Sequence, residues 1–288
     1  MTGANESGPR HSGWGSLAAR AARHLRWRSE RAVTDVVDGL RRGERTVILT
    51  PPAGMRFGNW LYLWLDAHQR TAAGRPTVVL AQGGMEPWLE EFPALRSLTI
   101  TKAAMRFRDR RDRDPRKPNR FGEDFTLETL EAFIAECLAP HIPADSSGTL
   151  VINVRRGDYY EGALFRKMFG FDQLGYLREA LERAGPAERI LVVSDDAAWC
   201  REHVDVLARA AAPIVEYMPT DPQANFRVVA GASRIVGTNS TFTYWAAYTA
   251  GAVHDRPQII MPSFHARTVN DGRAVQLDPR WIAIDGHW

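Results

Sequence analysis

The amino-acid sequence predicts an α/β protein of two Rossmann-like lobes, each built on a parallel sheet, with a cleft between the lobes. Two observations predict this fold. Short runs of apolar, often β-branched residues alternate with segments whose apolar residues recur at helical spacing, and strands that alternate with helices form parallel sheets covered on both faces. A segment rich in proline and serine, at 140–148, separates two such series. We therefore predict three parts, residues 1–45, 46–145 and 146–288.

The first part is a basic segment with two open roles. Residues 1–45 contain nine arginines against five acidic residues, and apolar residues at helical spacing predict a helix over 16–42. This helix docks on the body of the protein or lies on an anionic membrane surface, and its thin apolar stripe favours docking.

In the first lobe, periodicity predicts three strands and two helices. The last helix begins after Thr126, whose hydroxyl suits an N-cap. The stretch 106–119 has two prolines and no periodicity, which predicts a mobile loop, and its charge suggests either solvated surface or a phosphorylated partner. The predicted elements are strands 47–49, 77–80 and 98–100 and helices 59–72 and 126–138.

The second lobe shows a more regular alternation. Asp172 and Asp221 suit helix N-caps, and Pro222 suits the first helical position. The predicted elements are strands 150–154, 190–193, 214–217, 234–236 and 259–261 and helices 172–184, 196–207, 222–232 and 242–250.

Composition excludes several classes of protein. Hydrophobic residues make up 44% of the 288 residues and charged residues 25%, close to the average for soluble globular proteins. No apolar run predicts a membrane span, and the N-terminus lacks the apolar core of a signal peptide. Two cysteines, Cys137 and Cys200, form no disulfide framework, so we expect a cytoplasmic protein. Nucleic-acid binding is not expected because no reader fold is recognisable.

Two adjacent arginines follow the first strand of the second lobe. Ligands of open α/β sheets bind at the carboxyl ends of the strands, and Arg155, Arg156 and Asp158 stand there. Such arginines are costly unless an anion is bound, and a guanidinium fork suits a diphosphate. The alternative is a salt bridge between the lobes.

Three further clusters surround the same predicted edge. Of Asp195 and Asp196, one can cap the next helix while the other accepts a hydrogen bond from a base or sugar hydroxyl; a divalent-metal site is the weaker alternative. Residues 238–243 carry several hydroxyls and precede or begin a helix. The start of this helix can bind a phosphate, or Ser240 or Thr241 can cap it in the ordinary way. Residues 54–59 form a flexible loop that matches no known phosphate-loop spacing.

Together these motifs resemble glycosyltransferase family 11, the α-1,2-fucosyltransferases, which are related to the α-1,6- and protein O-fucosyltransferases. The resemblance extends from residue 54 to about residue 265. Two departures are Asn153, where the family usually has histidine, and Trp60, where it usually has glutamine. The motifs are RFGNWL at 56–61, VRRGDY at 154–159, VSDDAAWC at 193–200 and NSTFTYWAA at 239–247.

The resemblance implies a GT-B-like fold and site roles for individual residues. Residues 46–145 would form the acceptor-side lobe and 146–288 the lobe that binds a GDP-sugar. Arg155 and Asp158 would be catalytic, and neither a metal nor another cofactor is implied. The implied donor-binding residues are Arg155, Arg156, Asp195, Asp196, Ser240, Thr241, Thr243 and Asn153. A first-lobe loop of Arg56, Gly58 and Asn59 would cover the cleft.

The expected function is transfer of fucose from GDP-fucose to a glycan hydroxyl, with inversion at the sugar carbon. Arg155 would balance charge on the leaving phosphate. Asp158, Glu161 and Asp172 are candidate bases, and the sequence does not choose among them. The alternatives are a degenerate GDP-sugar-binding protein, motivated by Asn153 and Trp60, and a transferase of another GDP-linked deoxy sugar. Expected partners are the donor, a glycan acceptor and, through the basic helix, the inner face of an anionic membrane.

Overall fold

Two parallel β-sheets organise the chain. The computed structural model describes Val36 and residues 46–288. Every strand pairing between its named strands is parallel. The prediction of an α/β fold with two lobes, each on its own parallel sheet, is confirmed. The predicted helix 16–42 lies outside the described residues except at Val36.

The smaller sheet belongs to the first lobe and has the strand order β3-β2-β1-β4. Its helices and strands are β1 (Val47–Leu49), α1 (Phe57–Ala72), β2 (Thr77–Leu80), α2 (Glu86–Glu91), β3 (Thr99–Ile100), β4 (Arg110–Asp112) and α3 (Leu127–Cys137).

The larger sheet belongs to the second lobe and has the order β10-β9-β8-β5-β6-β7. Read outward from β5, this is the order of doubly wound dinucleotide-binding sheets, and the strand order reverses between β5 and β8. The elements are β5 (Asp145–Val154), α4 (Gly157–Glu161), α5 (Ala163–Phe169), α6 (Gln173–Ala184), β6 (Arg189–Ser194), α7 (Ala197–His203), α8 (Asp205–Ala211), β7 (Ile214–Tyr217), α9 (Pro222–Gly231), β8 (Ala232–Gly237), α10 (Thr241–Val253), β9 (Gln258–Pro262) and β10 (Ile282–Ile284).

The prediction of a mobile loop over 106–119 is wrong where β4 forms. The Arg110 N–H donates to the Thr46 carbonyl at 3.0 Å, and the Thr50 N–H donates to the Asp112 carbonyl at 2.8 Å. β4 lies at the edge of its sheet, so its charged side chains reach solvent and the strand leaves no apolar period in the sequence.

Two boundaries also differ from prediction. β5 begins at Asp145 rather than at residue 150, and an irregularity in its pairing with β8 separates Asp145 from Leu150. The predicted helix 196–207 is two helices that meet at Val204. The lobe bounds of 46–145 and 146–288 stay predictions.

One hydrophobic core joins the two sheets. Phe57 of the first lobe stacks on Trp88 at 3.6 Å between ring centres and meets Phe226 of the second lobe edge-on at 5.0 Å. Tyr62 of α1 packs against Trp245 of α10 at 5.0 Å, and all five side chains are buried. The lobes therefore share their interior along the seam between α1 and α10.

Candidate functional site

The candidate site lies where β5, β6 and β8 end, at the point where the strand order reverses. Ligands of open α/β sheets bind in the crevice at this position. Arg155 follows β5, and its backbone N–H donates to Thr238 Oγ1, at the end of β8, at 2.9 Å. Asp195 follows β6 and accepts the backbone N–H of Arg156 at 2.8 Å. The parallel pairing of β5 with β6 and β8 thus brings together three of the predicted clusters, those that follow these three strands.

Arg155 is balanced by two carboxylates. Nη2 donates to Asp158 Oδ1 at 2.7 Å, and Nη1 lies 2.9 Å from Asp195 Oδ2. Burial opposes the charge of the guanidinium, but Asp195 and then Asp158 outweigh burial and raise the pKa of Arg155. Both partners belong to the second lobe, so the alternative of a salt bridge between the lobes is wrong for Arg155.

Arg156 has a different environment. Its guanidinium carbon lies 3.7 Å from the ring centre of Tyr160 and 3.8 Å from that of Trp199. Nη1 donates to Gln173 Oε1 at 3.3 Å. Because aromatic rings stack on the guanidinium, Arg156 builds the wall of the site and has less freedom to grip a ligand than Arg155.

A pocket of about 400 Å³ opens beside Arg156. A side-chain carbon at Gly157 would overlap the Asp195 carboxylate, so a larger residue here would displace the group that Arg155 and Arg156 hold. Both acidic and basic groups line the pocket, which suits a ligand with both donors and acceptors. The lining residues are Arg156, Gly157, Tyr160, Glu161, Arg166, Asp195 and Asp196.

The acidic residues have separate tasks. Asp196 caps α7 by accepting the Trp199 N–H at 3.0 Å, and both oxygens of Asp195 are engaged by the two arginines. Asp172 caps α6 by accepting the Gly175 N–H at 3.0 Å, whereas Glu161 lines the pocket. Within the described residues, no group of three or more potential metal ligands is gathered.

The cluster after β8 provides both a cap and internal support. Ser240 accepts the Phe242 N–H at 3.3 Å and so caps α10. Thr243 donates to Asn153 Oδ1 at 2.5 Å, and Asn153 Nδ2 donates to the Val193 carbonyl at 3.3 Å. Asn153 and Thr243 are buried, so the structure places them beneath the site, where they join β5 to β6 and α10.

The prediction of a loop over 54–59 is wrong from residue 57 onward, because α1 begins at Phe57 and its first turn contains Gly58 and Asn59. This first turn of α1 reaches the start of α10. A side-chain carbon at Gly58 would lie 2.6 Å from the carbonyl carbon of Thr241 and from the Phe242 nitrogen, so only glycine permits this contact. Asn59 Oδ1 accepts a hydrogen bond from Lys117 Nζ at 2.8 Å, while Arg56 is exposed before α1.

Four residues of this region were missed as site residues by sequence reasoning. Tyr160 and Trp199 hold Arg156, Gln173 bonds both arginines, and Lys117 reaches Asn59. The sequence could have indicated Tyr160 and Trp199, since both residues lie in or beside the quoted motifs. Lys117 had none, because it stands among other charged residues in an aperiodic stretch.

The fold and this site define an α/β protein with a candidate ligand site at the switch point of a doubly wound sheet. The model of the family described as "Glycosyl transferase family 11" matches residues 118–285, more than half of the chain, and the chain belongs to this family.

Two curated relatives are galactoside fucosyltransferases. The chain is 30% identical over 144 residues to bovine "Galactoside 2-alpha-L-fucosyltransferase SEC1", a match that covers 46% of this chain and 37% of the relative. It is 33% identical over 113 residues to "Galactoside alpha-(1,2)-fucosyltransferase 1" of Alouatta belzebul, covering 38% and 31%. The matched regions thus span about a third of the length of these relatives.

Two solved structures show a weak overall similarity. The E. coli heptosyltransferase WaaC with ADP gives a TM-score of 0.45 at 14% identity, covering 84% of this chain and 93% of that one. POFUT1 in complex with GDP gives 0.37 at 12% identity, covering 76% and 98%. Because both scores are low, the fold assignment rests on the sheet topology above. No helix in the described part of the chain is long and apolar enough to cross a bilayer.

Proposed function

We propose that the protein transfers fucose from GDP-fucose to a hydroxyl group of a glycan, as an α-1,2-fucosyltransferase. The observation that carries the proposal is the position of Arg155, which follows β5 at the switch point of the larger sheet, is bonded through its backbone to Thr238 at the end of β8 and is paired with two carboxylates. Membership of glycosyl transferase family 11 and the names of the curated relatives support the reaction class.

The strand order suggests how the donor lies. In doubly wound sheets the phosphates sit after the first strand and an acidic residue after the next strand accepts from the ribose. Here β5 leads to Arg155 and β6 leads to Asp195 and Asp196. We therefore place the nucleoside in the pocket beside Arg156 and the diphosphate beside Arg155, on the side of the start of α10.

Donor binding then exchanges the partners of Arg155. Asp158 is the more exposed of its two carboxylates, with 52% of the side chain accessible against 27% for Asp195, so a phosphate displaces Asp158 more readily. The released Asp158 carboxylate becomes available to accept the proton of the acceptor hydroxyl.

The proposed step is an inverting displacement. The acceptor oxygen forms a bond to the anomeric carbon from the side opposite the diphosphate, its proton passes to a carboxylate, and the bond between that carbon and the phosphate oxygen breaks to release GDP. Negative charge grows on the leaving diphosphate, and the fixed charge of Arg155 stabilises it. We propose that no divalent metal is needed, and activity in excess EDTA tests this.

Thermal unfolding with a panel of nucleotides tests the donor. GDP and GDP-fucose at about 100 times their dissociation constants should each add about 2.7 kcal/mol to the free energy of unfolding. UDP and UDP-glucose at the same concentrations serve as controls. Equal stabilisation by UDP-glucose and GDP-fucose would contradict the proposal.

A second candidate is a protein that binds the donor without turnover. The observation that favours it is Asn153, which stands where the family usually has histidine and whose amide is fully engaged in the interior. Release of GDP from GDP-fucose, measured with and without a panel of galactoside acceptors, separates the two. Binding without acceptor-dependent release of GDP supports the second candidate.

A further inference from the structure

One cation at the seam between the lobes lacks a balancing charge. Lys117 lies at the end of the basic stretch, donates to Asn59 at 2.8 Å and lies 5.8 Å from the centre of the Tyr62 ring. Burial lowers the pKa of Lys117, and none of the carboxylates in the described residues opposes that shift. A partly buried ammonium with one hydrogen-bond acceptor is unfavourable in the free protein.

Two sets of contacts show that Lys117 lies near the first turns of α10. Asn59 directly follows Gly58, which touches the backbone of the first helical residue, Thr241. On the other side, His265 contacts the hydroxyl of Tyr244 on α10 at 3.3 Å, and its pKa responds to the charge of Lys117. The N-terminus of a helix carries a partial positive charge, so the positive potential of α10 adds to that of the Lys117 ammonium.

The surrounding groups do not neutralise that potential. Burial first, and Lys117 second, lower the pKa of His265 to about 3, so this imidazole is neutral. Arg155, which bonds the loop preceding α10, already has the charges of Asp158 and Asp195 beside it. Of the two cations, Lys117 is therefore the one for which a bound anion would supply missing counter-charge.

We propose that Lys117 binds the diphosphate of the donor from the first-lobe side, opposite Arg155. The inference rests on the proposed function and adds a contact from a lobe that the donor site did not otherwise include. As the bond to the sugar breaks, the ammonium stabilises the charge that grows on the leaving diphosphate. The basic stretch thereby gains a defined role at its single lysine.

Calorimetric titration of Lys117→Met with GDP and with guanosine tests the proposal. Loss of one charge-assisted hydrogen bond should weaken GDP binding at least about tenfold. Guanosine lacks the diphosphate, so its affinity should change by less than about twofold. The free variant should melt no lower than wild type, because an unbalanced charge has been removed. Lys102→Met, which removes an exposed lysine of the same lobe, is the matched control.

Each outcome of this titration supports or overturns binding of the diphosphate by Lys117. If Lys117→Met binds GDP as tightly as wild type, the inference is overturned while the proposed function stands. Equal losses for GDP and guanosine, with a lower melting temperature, assign Lys117 to holding the fold and also overturn it. Failure of the wild-type protein to bind GDP overturns the proposed function and this inference together. A loss confined to GDP, with Lys102→Met unchanged, supports the proposal.

Discussion

Two neighbouring arginines of one motif have acquired different physical tasks. Arg155 is paired with two carboxylates, whereas Arg156 is stacked between two aromatic rings. The sequence shows only that both follow the same strand. What separates them is their tertiary surroundings, because Arg155 meets Asp158 and Asp195 while Arg156 meets Tyr160 and Trp199.

Substitution of Arg155 should therefore reduce turnover and also lower the free energy of unfolding of the ligand-free protein. Arg155→Lys keeps the charge but loses the planar fork, and we expect turnover to fall at least about tenfold; Arg155→Ala should fall further, on the order of 100-fold. Because Asp158 and Asp195 lose their partner, the alanine variant should also lose about 1–3 kcal/mol of unfolding free energy.

Steady-state assays and melting curves, each with and without GDP, measure both effects. Arg183→Ala, which removes an exposed arginine paired with Glu179, is the control and should leave turnover unchanged. An Arg155→Ala variant that keeps the full stabilisation by GDP would refute the assignment.

His265 should make the protein sensitive to acid. Its pKa is about 3 in the folded protein, mainly because of burial, against the ordinary value of 6.5. Between these values the unfolded state binds the proton and the folded state does not, so stability is present above pH 6.5 and is lost as the pH falls. The loss attributable to His265 should approach about 1.4 kcal/mol per pH unit in this window.

Urea unfolding of wild type and His265→Asn at several pH values from 7 to 4.5 isolates this contribution. The wild type should lose more stability than the variant over that range. Parallel pH profiles would show that His265 is protonated without penalty.

At the scale of single elements, the sequence predicted the helix N-caps but not the edge strand β4 or the first residues of β5. Thr126, Asp172 and Asp221 all cap the helices expected of them, because an N-cap depends on a few adjacent residues. β4 and the start of β5 were missed because their residues are mostly polar and not buried, so they leave no apolar period in the sequence. The candidate site follows the same division: its clusters were visible in sequence, but Lys117 and the stacking of Arg156 depend on tertiary packing.

Loss of the Thr126 cap should destabilise α3 measurably. Thr126 accepts the Thr129 N–H, and the Thr129 hydroxyl accepts the Thr126 N–H in return, so both ends of a capping box are present. Thr126→Ala should lower the free energy of unfolding by about 1 kcal/mol in chemical denaturation. Thr101→Ala provides the comparison, since Thr101 precedes a short helix without making a side-chain cap bond. Equal effects of the two substitutions would argue against the cap.

The contact between α1 and α10 should tolerate no side chain at Gly58. The added carbon of Gly58→Ala would lie 2.6 Å from the backbone of α10, so the helices must separate, and we expect a loss of about 1–3 kcal/mol. Gly83→Ala is the matched control, because nothing lies within 4 Å of its added carbon and its φ is not positive. If both variants melt alike, the close approach of the helices is not as described.

At the scale of the whole molecule, the shared core should make the lobes unfold together. Phe226 is fully buried and contacts Phe57, Trp88 and Phe92 of the first lobe. Phe226→Ala should cost about 3–5 kcal/mol, whereas Phe165→Ala, at a half-exposed ring, should cost much less. Tryptophan fluorescence and circular dichroism should report one coincident transition for wild type. Two separated transitions would contradict a common core.

The seam between α1 and α10 also limits how this protein can be recombined with its relatives. In a transferase whose lobes meet only across solvent, an acceptor lobe could be exchanged while the donor lobe is kept. Here Gly58 and Tyr62 fit the backbone and a side chain of α10, and Phe57 fits Phe226 of α9. A chimera joined between the lobes would mismatch buried surfaces, so a functional junction has to carry α1 together with its partner helix.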